Sequence, residues 1–206
     1  MRTHSTRAPD APARTFPDAE SLRPDKRERR DRIVAAAQQL MLDVDYERIQ
    51  VKDVAERAGV SLGTLYRYFN SKEHLFACVL LAWSSSFGAH LDQAAPGPTL
   101  DNVKAVYRRA ARAFERQPRV YAVLIQVQGS ADPHAREAYR EFAQRQSGAF
   151  ASVLDSSRLS EDKRRDVIAV MNAVLDQNLR TWQLGLQPAD AVATAIDRAA
   201  DLLLGR

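Results

Sequence analysis

One cysteine, eight glycines and four histidines are spread through 206 residues, and each shortage closes off a class of function. The lone thiol, Cys78, has no internal disulfide partner and fits a reducing cytoplasm, where such a residue ordinarily serves as a small buried hydrophobe. His4, His74, His90 and His134 never fall into His-x-x-x-His spacing, and no Glu-x-x-His pair recurs as a di-iron bundle requires. His134 and Glu137 are three apart, which a solvated helix face explains. Thiolate ligands for a metal sensor are missing, and no glycine-rich loop suits a phosphate. No apolar run approaches the roughly 20 residues that span a bilayer, and the first residues hold no apolar signal core. Strand alternation and internal repeats are missing too. The sequence therefore predicts no enzyme, no metal, no cofactor and no membrane partner.

What is present favours helices. Residues AVILMFWYC make up 45% of the chain, enough for one or two small domains with a real core. The net charge of +4, from 30 Lys+Arg against 26 Asp+Glu, is too modest to establish a nucleic-acid partner by itself. Its placement says more. Lys26, Arg27, Arg29, Arg30 and Arg32 crowd the start of the first helical pattern. They fit either a solvated face, with Asp25–Arg29 and Glu28–Arg32 as i,i+4 pairs, or contact with phosphates.

Residues 1–23, rich in Pro, Ala, Arg and Asp and without period, read as a disordered arm. A first helix starts near Pro24-Asp25, with Asp25 and Glu28 at capping-box spacing and Ile33, Ala37, Leu40 and Val44 as its stripe. Further on, a long helix runs from Ser71 to about Gln93 with an apolar face too wide for one neighbour. The break Ala94-Ala-Pro-Gly-Pro-Thr99 ends it. Helices follow with stripes at Leu100, Val103, Tyr107, Ala110 and Phe114. Later stripes are Val120, Val123, Leu124 and Val127, then Tyr139, Phe142, Phe150 and Val153. After Ser160 come Val167, Val170, Met171, Val174, Leu175, Leu179 and Trp182. Gly185 and Pro188 separate these from Val192, Ile196, Ala199 and Leu203.

Residues 47–75 carry the most chemistry. Val51, Val54, Ala55 and Ala58 recur at helical intervals, Gly59 suits a left-handed turn, Val60 packs the corner and Ser61 caps the next helix. Leu62, Leu65 and Phe69 then point inward. Outward stand Ser61, Gly63, Thr64, Arg67 and Tyr68. Gly63 lets its backbone approach a phosphate or base edge, and Thr64 offers a hydroxyl and a methyl. Tyr66 and Tyr68 supply phenols for phosphate oxygens, Arg67 pairs with guanine or clamps a phosphate, and Lys72 sits at a helix N-terminus that already favours anions. This is the layout of a helix-turn-helix whose second helix enters the major groove.

The run Gly59-Val-Ser-Leu-Gly-Thr-Leu-Tyr-Arg-Tyr-Phe-Asn-Ser-Lys-Glu-His-Leu75, with Arg27-Glu-Arg-Arg-Asp-Arg-Ile-Val-Ala-Ala-Ala before it, resembles the DNA-binding region of TetR-type transcriptional regulators. The likeness covers roughly residues 26–75. That run and parts of the C-terminal half are also similar to actinobacterial repressors of steroid catabolism. The resemblance implies an all-α chain. Its N-terminal three-helix DNA-binding domain covers 24–72, and its C-terminal helical ligand-binding and dimerisation domain covers 73–206. Lys52 is placed beside DNA by the resemblance, and Arg29 and Arg30 fall on the DNA side with it. The implied effector is a small apolar molecule of steroid or acyl-CoA type, held among the middle helices. Trp83, Phe87, Phe114, Tyr121, Ile125, Tyr139, Phe142 and Trp182 are candidate lining, with Gln126, Gln128 and Asn172 as orienting polar groups. The same aromatics equally suit an ordinary core. The last two long helices would pair with a second copy through Val167, Val170, Met171, Val174, Leu175, Val192, Ala195, Ile196 and Ala199. Two readers about 34–36 Å apart, or a multiple, would then match a palindrome. The expectation is a homodimeric, ligand-released repressor in the cytoplasm, on the nucleoid. The alternatives are an activator, a ligand-independent regulator, or a helical scaffold that has lost DNA binding.

Overall fold

A computed structural model describes residues 22–91 (side chains to Ser85), 99–154 and 159–205. Except for Leu22 and Arg23, the arm expected over 1–23 lies outside them, as does the side chain of Phe87. Every regular element among the described residues is helical. These are α1 (Pro24–Asp43), a 3-10 turn (Tyr46–Arg48), α2 (Val51–Arg57), α3 (Leu62–Leu65) and α4 (Lys72–Leu91). Then follow α5 (Thr99–Arg116), α6 (Pro118–Gln128), α7 (Pro133–Ser152), α8 (Glu161–Gln183) and α9 (Ala189–Leu204).

Helix α1 begins one residue earlier than a capping box at Asp25 requires. Pro24 occupies its first turn, and the Arg23 carbonyl accepts from the Lys26 and Arg27 N–H groups at 3.0 and 2.9 Å. Proline suits that position because its missing N–H has no helical partner there. The stripe of Ile33, Ala37 and Leu40 is buried, as the spacing predicts. Downstream, Ser61 caps α3 and Ser160 caps α8 through their hydroxyls, at 3.1 and 3.3 Å from the N–H groups of Thr64 and Lys163. Gly59 and Gly185 adopt φ of +66° and +71°, a region costly for a residue with a Cβ.

Helix α4 joins the two ends of the molecule. Leu75, Phe76, Ala77, Val79 and Leu80 are all fully buried because α1, α6 and α7 cover it from several sides. The wide apolar face seen in the sequence is thus accounted for. One continuous core runs from Ile33 to Ala200, and the expected boundary at 72/73 falls in the first turn of α4.

Helices α8 and α9 pack on each other and on α5. Arg108 forks onto Asp197, with Nε 2.7 Å from Oδ1, and Lys104 reaches Asp201 at 2.6 Å. This packing corrects the expected dimer set. Val167, Met171, Leu175, Val192 and Ile196 are buried inside a single subunit, and Val174, Ala195 and Ala199 are half-buried. Only Val170, 44% exposed, stands clear. The reason lies in the helix period: residues 167, 171, 175 and 179 form one stripe, and that stripe serves the subunit's own core. The opposite face of α8 carries Ala169, Val170, Ala173 and Gln177, all exposed.

Candidate nucleic-acid interface

The reader is built on a small apolar footing. Leu65 and Phe69 are fully buried, and Val54 and Ala55 of α2 lie in the same core. The α3 helix is only Leu62–Leu65, but the chain continues winding. The N–H groups of Arg67 and Tyr68 bond the carbonyls of Thr64 and Leu65 at 3.1 and 2.9 Å, and Phe69 N–H bonds Leu65 at 3.1 Å. The recognition segment is therefore a short, tightly wound stretch from Ser61 to Phe69, anchored at two points.

Its outer surface holds Ser61, Leu62, Gly63, Tyr66 and Arg67, all exposed, with Thr64 half-buried between them. A Cβ built on Gly63 meets nothing within 4 Å, so the backbone there faces open space. The Ser61 and Thr64 hydroxyls pair with each other at 2.9 Å and form one polar spot rather than two independent donors. Leu62 departs from its expected inward position and is 42% exposed. As the first residue of α3 it precedes the turn that meets the core, so its side chain lies on the reading side. An apolar side chain there suits a thymine methyl, a role the i, i+3 spacing concealed. Lys52 on α2 and Arg29 on α1 are exposed.

Three expected DNA contacts are engaged inside the protein. Arg30 turns away from solvent, its side chain only 18% exposed. Its Nη2 donates to Cys78 Sγ at 3.3 Å, and its guanidinium lies 5.5 Å from the centre of the Phe69 ring. Burial pushes the Cys78 thiol up to about 11, against the pull of Arg30, so the sulfur stays protonated and unreactive. Lys72 donates to the Tyr46 carbonyl and lies over the Tyr46 ring. Tyr68 is half-buried, packs against the core and lines a groove of about 680 Å³ among α1, α4 and α7, together with Arg30, Cys78, His74 and His134. Sequence spacing places these side chains near the reader, but a long basic side chain has several directions open to it.

The connection between reader and core is polar. Asn70 N–H donates to His74 Nδ1 at 3.1 Å, and the Ser71 hydroxyl accepts from His74 N–H at 3.0 Å, capping α4. On the α6 side, Arg119 reaches the Leu42 carbonyl at 2.9 Å and Asp45 at 3.0 Å, and Gln126 reaches Glu47 at 3.2 Å. Gln126, expected to orient a ligand, is exposed and bound to the 3-10 turn instead.

The other expected ligand residues pack closely. Trp83, Phe114 and Tyr121 form a chain of rings with centroids 5.1 and 5.5 Å apart, and Tyr139 stacks on Phe142 at 6.0 Å. Their polar atoms are matched. Trp83 Nε1 donates to Gln117, Tyr121 to the Asp176 carbonyl, Tyr107 to Asn172 and Gln128 to Tyr139, at 2.7 to 2.9 Å. Arg180 donates to Gln128 Oε1 at 3.0 Å. Ile125 and Trp182 are half-buried against this core. Neither the groove nor the second cavity, of about 580 Å³ on the outside of α1, is lined by any of these residues. In this conformation they form a core.

Among the described residues no cluster of His, Cys, Asp or Glu is arranged to hold a metal, and no helix is long and apolar enough to cross a membrane. The sequence pattern of the family described as bacterial regulatory proteins, tetR family, matches residues 33–79, the stretch from α1 into α4. The HTH-type transcriptional repressor KstR of Mycobacterium tuberculosis is 30% identical over 211 residues, which cover 98% of this chain and 96% of that protein. A TetR transcriptional regulator from Rhodococcus sp. RHA1 superposes with a TM-score of 0.72 at 27% identity, covering 87% of this chain and 97% of the other. The Thermus thermophilus FadR repressor in complex with lauroyl-CoA gives 0.71 at 18% identity, over 85% and 94%.

Proposed function

The chain belongs to the TetR family of bacterial regulatory proteins, a non-enzymatic DNA-binding class, and from that premise we propose that it is a repressor reading a palindromic operator as a homodimer. The observation that carries this reading is the recognition segment. Ser61, Leu62, Gly63, Tyr66 and Arg67 are presented outward on a footing of fully buried Leu65 and Phe69. Arg67 and Lys52 supply charge for phosphate or guanine, Tyr66 a phenol, and Gly63 a close backbone approach. Arg29 adds a phosphate contact. Arg30 and Tyr68 support the reader from within, and Lys72 reaches a phosphate only by leaving Tyr46. The working place of such a protein is the cytoplasm, where the DNA is.

The second copy docks on the outer face of α8 and α9. Ala169, Val170 and Ala173 offer a small-residue surface, and Leu184, Leu186 and Leu202 are 66%, 74% and 86% exposed beside it. Large apolar side chains exposed together mark such contacts.

The effector is an apolar acyl-CoA, with a fatty or steroid acyl group. Support comes from the likeness to KstR and from the lauroyl-CoA held by the Thermus thermophilus neighbour. Its entry requires the Trp83–Phe114–Tyr121 rings to part. It therefore prefers an opened state, and it shifts DNA binding only by its differential affinity for the two states. Anisotropy of a labelled duplex from the chain's own upstream region, at fixed salt, tests the proposal. Submicromolar binding reversed by lauroyl-CoA or a steroid acyl-CoA is the expected result. A folded dimer that ignores the duplex at low salt would leave a helical scaffold in place of a repressor.

A further inference from the structure

Asp132 caps α7, its Oδ1 accepting from His134 N–H at 2.9 Å. Its second oxygen serves a different part of the molecule. Oδ2 accepts from the Asn70 side-chain amide at 3.2 Å and from the Ser71 hydroxyl. Ser71 is itself the cap of α4. One carboxylate therefore ties together the N-termini of two helices, where both dipoles favour its charge. Burial opposes ionisation, but the bonds from Ser71, His134 and Asn70 outweigh it and hold the carboxyl below the ordinary aspartate value. The rings of His74 and His134 stack 5.4 Å apart beside the tie. Asn70 follows directly on Phe69, the last anchor of the reader, so almost no chain separates the tie from the recognition segment.

We propose that Asp132 is a positioning residue for DNA reading: through Asn70 and Ser71 it fixes the angle of the recognition segment against the core, and so the spacing of the two readers in the dimer. The proposal rests on the repressor reading above. The footing of the reader is Leu65, Phe69, Val54 and Ile33, which stays intact without Asp132. Releasing the tie leaves each reader able to engage one half-site but lets it rock against its partner. Simultaneous engagement, which depends on effective concentration, is what suffers.

Asp132→Asn is the selective variant. Asparagine keeps an oxygen for capping α7 but presents an amide N–H₂ to donors that need an acceptor. The measurement is affinity for the footprinted upstream palindrome, intact and with one arm scrambled. For Asp132→Asn the ratio of intact to half-site affinity is expected to fall about tenfold, with half-site affinity unchanged and a single cooperative melt. Ser71→Ala added to Asp132→Asn should lower the ratio no further. An unchanged ratio, or an equal loss on both duplexes, overturns the positioning role while leaving the repressor reading intact. A wild-type chain that binds neither duplex overturns the repressor reading and this role with it.

Discussion

Lys72 and Tyr46 hold one another: the ammonium lies 3.9 Å from the centre of the Tyr46 ring and donates to the Tyr46 carbonyl. Tyr46 meets Phe76 edge-on at 5.2 Å and bonds Glu73 at 3.4 Å, so the pair secures the 3-10 turn to the first turn of α4. Burial, opposed by Glu73 and Glu47, draws Lys72 below the usual lysine range. A cation–π contact of this kind is worth roughly 0.5–1 kcal/mol. Lys72→Ala is expected to lower the melting temperature by about 2–4 °C. The slope of log K against log salt should stay as in the wild type. A slope reduced by about one unit would return the residue to the phosphate backbone.

Gly63 separates stability from reading. Because a Cβ there meets only open space, Gly63→Ala should hold or raise stability, by up to ~1 kcal/mol from helix propensity. Operator affinity should nonetheless fall about tenfold, since the methyl occupies the gap through which the backbone approaches DNA. Lys52→Ala, in contrast, should weaken every duplex alike and reduce the salt slope by about 0.9. Equal affinity of Gly63→Ala and wild type would show that α3 does not approach DNA through that residue.

His74 makes the fold acid-sensitive. Burial pushes its imidazole from 6.5 down to about 4; Asp132 opposes the shift, and His134 and Arg30 reinforce it. The unfolded chain takes up the proton near 6.5, whereas the folded chain refuses it until about 4. The stability tied to neutral His74 is thus complete above pH 6.5 and lost as pH falls towards 4, by on the order of 3 kcal/mol. Asp132 acts in the same direction, but only within and below the carboxylate range. Urea unfolding at pH 7 and pH 5 should give clearly lower stability at pH 5, and His74→Gln should flatten the difference. Parallel pH profiles for the two proteins would assign the acid sensitivity elsewhere.

The two faces of α8 should respond in opposite ways. Val170→Arg, on the exposed face, is expected to give a folded monomer by light scattering and to abolish palindrome binding. Met171→Arg places a charge at a fully buried position and should unfold the chain. A Val170→Arg protein that remains dimeric would move the contact off this face.

Local features were readable because their causes are local. The Ser61 cap, the left-handed Gly59, the stripe of α1 and the breadth of the apolar face of α4 follow from helical spacing and from which residues tolerate which backbone. Arg30, Lys72 and Leu62 were misplaced because their directions depend on partners elsewhere. Cys78 lies 48 residues from Arg30, and Tyr46 lies 26 from Lys72. On α8 both faces carry small or apolar residues, so periodicity could not say which one belongs to the subunit's own core.

The chain order alone thus determined that this molecule is helical, where its reading segment lies and which groups that segment can offer. A period of 3.6 residues and a few turn-forming side chains act over a handful of positions. Tertiary structure decided which basic side chains remain available to a partner, which half of α8 is hidden, and that Asp132 ties the reader to α7 across 61 residues. Those outcomes depend on what meets what after the helices pack, and one-dimensional spacing does not encode that meeting.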